Sequence, residues 1–205
     1  MEETKVCTYT ERPPRFTIKR GLKRGLKQRV RTVILFLDET IVTETPPLYY
    51  AYGHTGEQIK IPITGNRSKR IIHGVINIRS GEIDLLITKE WNSQTHMHFL
   101  EQLRSKWRGH KIILFEDRGT PHTAEDTTEL AAHLGIEVRL LPRASPEMNP
   151  MDHLWKQVKR ETIGSRYTLD VTHSALHACR YIIALSPKQR LIKSGVLSGE
   201  FWLDK

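Results

Sequence analysis

The sequence predicts a single α/β domain in which helices cover a mixed sheet. Three observations lead there. Two apolar, β-branched runs, "VRTVILFLDE" and "KIILFED", each end in acids, and continuous runs of this kind suit strands buried on both faces. "RIIHGVINIRSGEIDLLITK" reads as two strands joined at Ser80-Gly81, a hairpin. Beyond it, helical and strand-like segments alternate, as they do when helices cover a sheet.

The elements follow in order. Residues 1–11 read as disordered, and Pro13 and Pro14 discourage helix after them. From about residue 31 the first buried strand begins, so the chain divides into an arm, 1–30, and a folded domain, 31–205. After the hairpin, "SQTHMHFLEQLRSKW" has helical spacing, with Met97, Leu100, Leu103 and Trp107 on related turns. "KIILFED" repeats the first strand pattern. "TAEDTTELAAHLG" is a helix stopped by Gly135, and "IEVRLLP" is a further strand. A helix starts at Pro150, capped by Asn149, and a helical C-terminal extension runs from about Leu169.

Bulk properties narrow the class. Hydrophobic residues make up 38% of the 205, and no apolar run exceeds "VILFL". Neither a membrane span nor a secretory signal fits, so a cytoplasmic protein is expected. Cys7 and Cys179 form no close pair and supply neither a disulfide framework nor a zinc site. The net charge of +9 is unevenly placed. Residues 12–31 hold nine Lys or Arg and no acid, and elsewhere 23 basic residues face 23 acids. Lys19, Arg20, Lys23, Arg24, Lys27 and Arg29 lie in this arm, whose "KRGLKRGLK" repeats every four residues. Such a block suits a polyanion, most directly nucleic acid, although a solvated basic tail has the same composition. Gly21 and Gly25 disfavour a standing helix, so the arm is expected to fold on contact as readily as before it.

Asp38 and Asp117 each close a buried run, and ligands gather at the carboxyl ends of adjacent strands. Two aspartates brought together there repel unless a proton or cation separates them. An oxygen-only donor set favours a hard cation, Mg²⁺ or Mn²⁺. Asp152 falls in the first turn of the helix after the last strand. Alone it reads as an acid placed well against the helix dipole; as a third carboxylate it would complete a site for one or two metals.

At these residues the chain resembles the DDE transposases of the mariner superfamily, especially the bacterial insertion-sequence branch. The resemblance covers about residues 31–165. "FLDET" is similar to the family's first-aspartate motif and "FEDRGTPHTA" to its second. "LLPRASPEMNPMDHLWKQVKR" is similar to its third, with 34 residues between Asp117 and Asp152, and "NSQTHMHFLEQL" to its mid-domain helix. The third acid is Asp, as in the mariner branch, where the insertion-sequence branch usually has Glu. Arg118 stands where Asn is usual, and Thr120-Pro121 shifts the expected proline by one place. The family's N-terminal helix-turn-helix readers have no counterpart in this sequence.

The resemblance implies an RNase H-like fold. It implies a DNA transposase catalytic domain in which Asp38, Asp117 and Asp152 hold two Mg²⁺ (or Mn²⁺) ions for strand cleavage and strand transfer. It further implies DNA as partner, a homodimer in the active complex and a bacterial, nucleoid-associated location. A separate helix-turn-helix polypeptide would supply the missing reader. Two other readings stay open: a DNA-binding remnant without cleavage, and an RNase H-like nuclease without strand transfer.

Other residues are weighed beside these. Glu39 is a supporting acid or a solvated one, and His122 orients a carboxylate or phosphate, or shapes its loop. Glu116 should point away from Asp117, since neighbouring strand residues alternate. Trp155 is expected to pack and fix Asp152. Lys156, Lys159 and Arg160 contact DNA phosphates or form a solvated helix face. His96 and His98, two apart on a helix, should diverge and not act as a ligand pair.

Overall fold

The structure, a computed structural model, describes residues 31–49, 54–56, 60–61, 67–165, 168, 170–199 and 201–204. The arm bearing Lys19, Arg20, Lys23, Arg24, Lys27 and Arg29 lies outside the described residues. Five strands form one sheet in the order β3-β2-β1-β4-β5. They are β1 (Thr32–Thr43), β2 (Lys69–Asn77), β3 (Ile83–Thr88), β4 (Lys111–Glu116) and β5 (Ile136–Leu140). β1 to β3 form an antiparallel meander, and β4 and β5 add in parallel on the other side of β1. The hairpin turns at Gly81, whose φ of 72° few other residues accept and whose N–H donates to Asn77 O.

β1 does not stop at its acids. It pairs with β4 from Thr32 to Phe36 only, but with β2 as far as Thr43. One satisfied edge is enough to carry the strand onward, so Asp38 stands within β1 just beyond the point where β4 leaves it.

The helices are α1 (Ser93–Lys106), α2 (Thr120–Thr123), α3 (Glu125–His133), α4 (Pro150–Val158), α5 (Val171–Ala184) and α6 (Pro187–Lys193). Asn92 and Thr95 form a capping box that starts α1. The buried face of α1 is His96, Phe99, Leu100 and Leu103, with Met97 only half-buried. The stripe is therefore rotated by one residue from the Met97-based expectation. Strand alternation splits the core in two. Leu35 and Leu37 pack with Phe99, Leu100, Leu103 and Trp107 on the face of α1. Phe36, Ile72 and Phe115 pack with Met151, Trp155 and Ala178 on the face of α4 and α5. Among the described residues no helix is long and apolar enough to cross a membrane.

Gly74 lets α4 approach the sheet. A Cβ there would stand 2.5 Å from both Met151 Cε and Trp155 Cζ2. Gly74→Ala is therefore expected to cost about 1–3 kcal/mol, the usual price of overpacking, read as a lower denaturant midpoint at unchanged m-value.

Candidate active site

Local chemistry fixes the start of α4 as expected. Asn149 caps it by accepting from Met151 N at 3.0 Å, and Pro150 occupies the first turn, where a missing N–H costs nothing. The same Asn149 side chain donates to Leu37 O at 2.9 Å, and Trp155 Nε1 donates to Asp38 O at 3.3 Å. These two bonds clamp α4 against the stretch of β1 that carries Asp38, and Asp152 follows on the first turn. Trp155 is fully buried, in keeping with a packing role.

Asp38, Asp117 and Asp152 line one cleft of about 520 Å³, together with Arg118, Arg143 and Asn149. Burial pushes the Asp38 carboxyl well above the usual carboxylate range, and the charges of Glu39, Asp152 and Asp117 push it further. Asp117 is held the other way. The His122 hydrogen bond lowers its pKa, and Gly119 N–H adds to this against a smaller effect of burial. His122 Nδ1 lies 2.7 Å and Gly119 N 2.8 Å from the same oxygen, Oδ1. Asp152 Oδ2 pairs with Lys156 Nζ at 2.7 Å, one turn along α4. Lys159 is half-buried; burial lowers its pKa, while Asp38 and Asp152 pull it back up. Of the basic residues on this helix, Lys156 and Lys159 thus face the acids, and Arg160 is exposed.

Arg118 donates through Nε to Leu141 O at 3.2 Å and ties the loop after β4 to the loop after β5. Pro121 lies at the start of α2, so the shifted proline still begins a helical turn. Arg143 lies in the third motif but was not singled out in the sequence; it is exposed in the cleft beside the acids.

On the opposite face of the sheet lies a second set of ionisable groups. Glu39 Oε1 is 3.1 Å from His73 Nδ1 and 3.1 Å from His122 Nε2. His73 continues to Thr88 Oγ1 at 3.1 Å. His96 Nε2 is 3.2 Å from Glu116 Oε2. Glu116 does point away from Asp117, and His98 diverges from His96 towards Glu101. Burial raises the Glu39 pKa, but His122, His73 and His96 outweigh it and hold the carboxyl well below its ordinary value. Burial lowers the His122 pKa, yet Asp117 and Glu39 overcome it and raise it to about 11. Among the described residues, Glu39–His73–His96 and His96–Glu116–His122 are the triplets whose potential ligand atoms lie within 4.8 Å of one another. The three aspartates are spread more widely around their cleft. His73 was not marked by any motif, because it sits in a segment whose pattern is that of a core strand, and Glu116 and His96 lie in motifs but were set aside as ligands.

The pairing of His122 has a pH consequence. Its folded pKa lies above the unfolded 6.5, so its stabilisation is full below about 6.5 and is lost as pH rises towards about 11. His122→Gln should therefore cost most stability near pH 6 and progressively less towards about pH 10. Urea unfolding of both proteins across that range reads the difference, and a constant gap would show that the charge of His122 contributes nothing.

An antiparallel meander extended by two parallel strands, with helices on both faces and acids at the mouth of the central strands, defines the RNase H-like fold. Residues 33–173 match the DDE superfamily endonuclease family, and the chain belongs to that family. No curated protein sequence matches it. Among solved structures it is similar to the Mos1 strand transfer complex, at 16% identity and TM-score 0.63, over 82% of this chain and 52% of that one. The Mos1 transposase paired-end complex with left transposon end gives 16% identity and TM-score 0.64, covering 96% and 65%. The catalytic domain of Mos1 mariner transposase gives 17% and 0.55, covering 82% and 78%. The chain thus spans about half the length of the Mos1 chain in the strand transfer complex.

Proposed function

We propose that this chain is the catalytic domain of a DNA transposase, cleaving DNA strands and transferring them with the help of divalent metal. The observation that carries the reading is the convergence of Asp38, Asp117 and Asp152 on one cleft in a member of the DDE superfamily endonuclease family. The donors fit Mg²⁺ or Mn²⁺. They are all oxygens, and the burial and neighbouring carboxylate charges that raise the Asp38 pKa are what a divalent cation offsets. Mos1 complexes are described with Mg and with Mn.

In this reading the three carboxylates hold two ions. When bound, the ions activate water or a DNA 3′-hydroxyl and stabilise the entering and leaving oxygens of an in-line displacement. Asp117 is pre-oriented, because His122 and Gly119 fix one of its oxygens and leave the other for the cleft. Lys156 pairs with Asp152 at the edge of the cleft, where its exposed ammonium group is placed for a DNA phosphate. Arg143 and Lys159 add positive charge beside the cleft for the same backbone. Residues 1–30 act as a basic arm and 31–205 as the catalytic domain. The Mos1 transposase paired-end complex with left transposon end supports a homodimer on DNA. A separate helix-turn-helix polypeptide reads the ends, and the work takes place at the bacterial nucleoid.

The test is an assay of nicking and of joining a 3′-hydroxyl end to target DNA, with and without Mg²⁺. Metal-dependent nicking with joining is expected. Nicking without joining would indicate a nuclease, and binding alone would indicate a DNA-binding remnant.

For the arm, the prediction is electrostatic. Each phosphate neutralised contributes about 0.9 to the slope of log affinity against log salt. If about four of the nine cations engage, deleting residues 12–31 flattens the slope by about three to four units, equally on unrelated duplexes. Salt titration of both proteins reads it, and an unchanged slope would assign the arm to another partner.

A further inference from the structure

The aspartate cleft accounts for one face of the sheet. The other face buries five ionisable side chains, Glu39, His73, His96, Glu116 and His122, beneath α1 and α2. Buried polar groups are normally hydrogen-bonded. Here both ring nitrogens of His96 and Oε2 of Glu116 are buried without a hydrogen-bond partner, although the two residues are only 0% and 1% exposed. His96 Nε2 and Glu116 Oε2 approach to 3.2 Å without the alignment of a hydrogen bond. An imidazole nitrogen and a carboxylate oxygen held this close in a buried site need a proton or a cation between them.

We propose that His96, Glu116 and His122 bind a transition-metal ion of the Zn²⁺ class, at a site separate from the aspartate cleft. One atom from each lies within 4.8 Å of the others. A tetrahedral ion with bonds of about 2.0–2.1 Å sets neighbouring ligand atoms about 3.3 Å apart, so small movements suffice. His122 binds through Nε2, since its Nδ1 is held by Asp117 at 2.7 Å. Glu39 Oε1, 3.1 Å from His122 Nε2, lies beside this triplet but outside it, so the fourth position is left to water. No cysteine is involved. Two imidazoles and a carboxylate suit Zn²⁺ and its neighbours rather than Mg²⁺.

Two further features match such a site. Ligand imidazoles usually donate their second N–H to a carboxylate, as His122 does to Asp117. A way in also exists. A cavity of about 220 Å³ between α3 and the β4–β5 side of the sheet is lined by Glu116 and His122, with Thr127 and Ala131 on its other wall. Thr127 Oγ1 is another buried atom without a hydrogen-bond partner. The consequence is structural: an ion here would lock His122, and His122 holds Asp117.

The test uses the full chain carrying Asp38→Asn, which weakens the aspartate cleft as a competing site. After chelator treatment and desalting, Zn²⁺ alone is titrated, with Co²⁺ as a spectroscopic probe. One equivalent should bind, raise the melting temperature and give Co²⁺ the absorption of a tetrahedral nitrogen–oxygen site. His96→Gln should abolish this, and His98→Gln, exposed two residues along, should not. Should His96→Gln fail to fold, Asp117→Asn keeps every ligand and should weaken Zn²⁺ by about 10–100-fold. An unmoved melting temperature, equal binding by His96→Gln, or unchanged affinity in Asp117→Asn would each overturn the proposal and leave protons as the only charge holding the cluster. The outcome does not depend on strand cleavage: a chain that binds Zn²⁺ but cuts no DNA would support this site and defeat the transposase reading.

Discussion

Asp38→Asn is expected to lower magnesium-dependent nicking by more than about 100-fold, the loss that a misplacement of 1 Å can cause by itself. The variant keeps the shape of the side chain but cannot offer two anionic oxygens to a cation. The same change should raise the melting temperature of the metal-free protein. Asp38 has a folded pKa raised by burial and by Glu39, Asp152 and Asp117, so its ionisation opposes folding once pH exceeds the unfolded value. The gain should therefore be present at neutral pH and vanish as pH falls below the unfolded carboxylate range. DNA affinity should change little, because backbone contacts come from basic groups. Nicking, duplex binding and thermal unfolding of the one variant read all three. Undiminished nicking would remove Asp38 from the catalytic set, and a lowered melting temperature would mean that the carboxylate is compensated in the fold.

Trp155→Ala should have the largest effect on stability, about 3–5 kcal/mol, as for other buried aromatic truncations. Trp155 is 2% exposed, packs over Gly74 and donates to Asp38 O. The substitution opens a cavity between α4 and the sheet and releases one of the two bonds that tie α4 to β1. Activity should fall more than the folded fraction does, since Asp152 rides on the same helix. A denaturation midpoint and a specific activity per folded molecule separate the two losses. A cost below about 1 kcal/mol would mean that the site collapses around the missing ring.

Much of this arrangement could be read in advance, for physical reasons. Continuous apolar runs announced β1 and β4, and the parallel pairing of those two strands puts Asp38 and Asp117 at one end of the sheet. Asn149-Pro150 announced the start of α4, and with it the position of Asp152. What escaped the sequence depends on pairing across distance. His73 lies opposite Glu39 only through the β1–β2 register, and no local pattern encodes a register between segments 34 residues apart. His96 was set aside with His98 because residues two apart on a helix diverge, and its burial escaped notice because the buried face of α1 is rotated from the expected apolar stripe. β1 overran its acids because β2 continues to pair with it, which is again a property of the partner strand.

The clamp between α4 and β1 also orders events in time. Asn149 and Leu37 are 112 residues apart in the chain, and Trp155 and Asp38 are 117 apart. Strands β1 to β3 all lie within residues 32–88, so their meander can form while the chain is still emerging, whereas contacts at such separation carry a higher loop-closure cost and need the later helix. The last carboxylate therefore joins the first two only after the sheet exists. On the proposed reading, a nascent or partly folded chain therefore lacks the complete set of carboxylates.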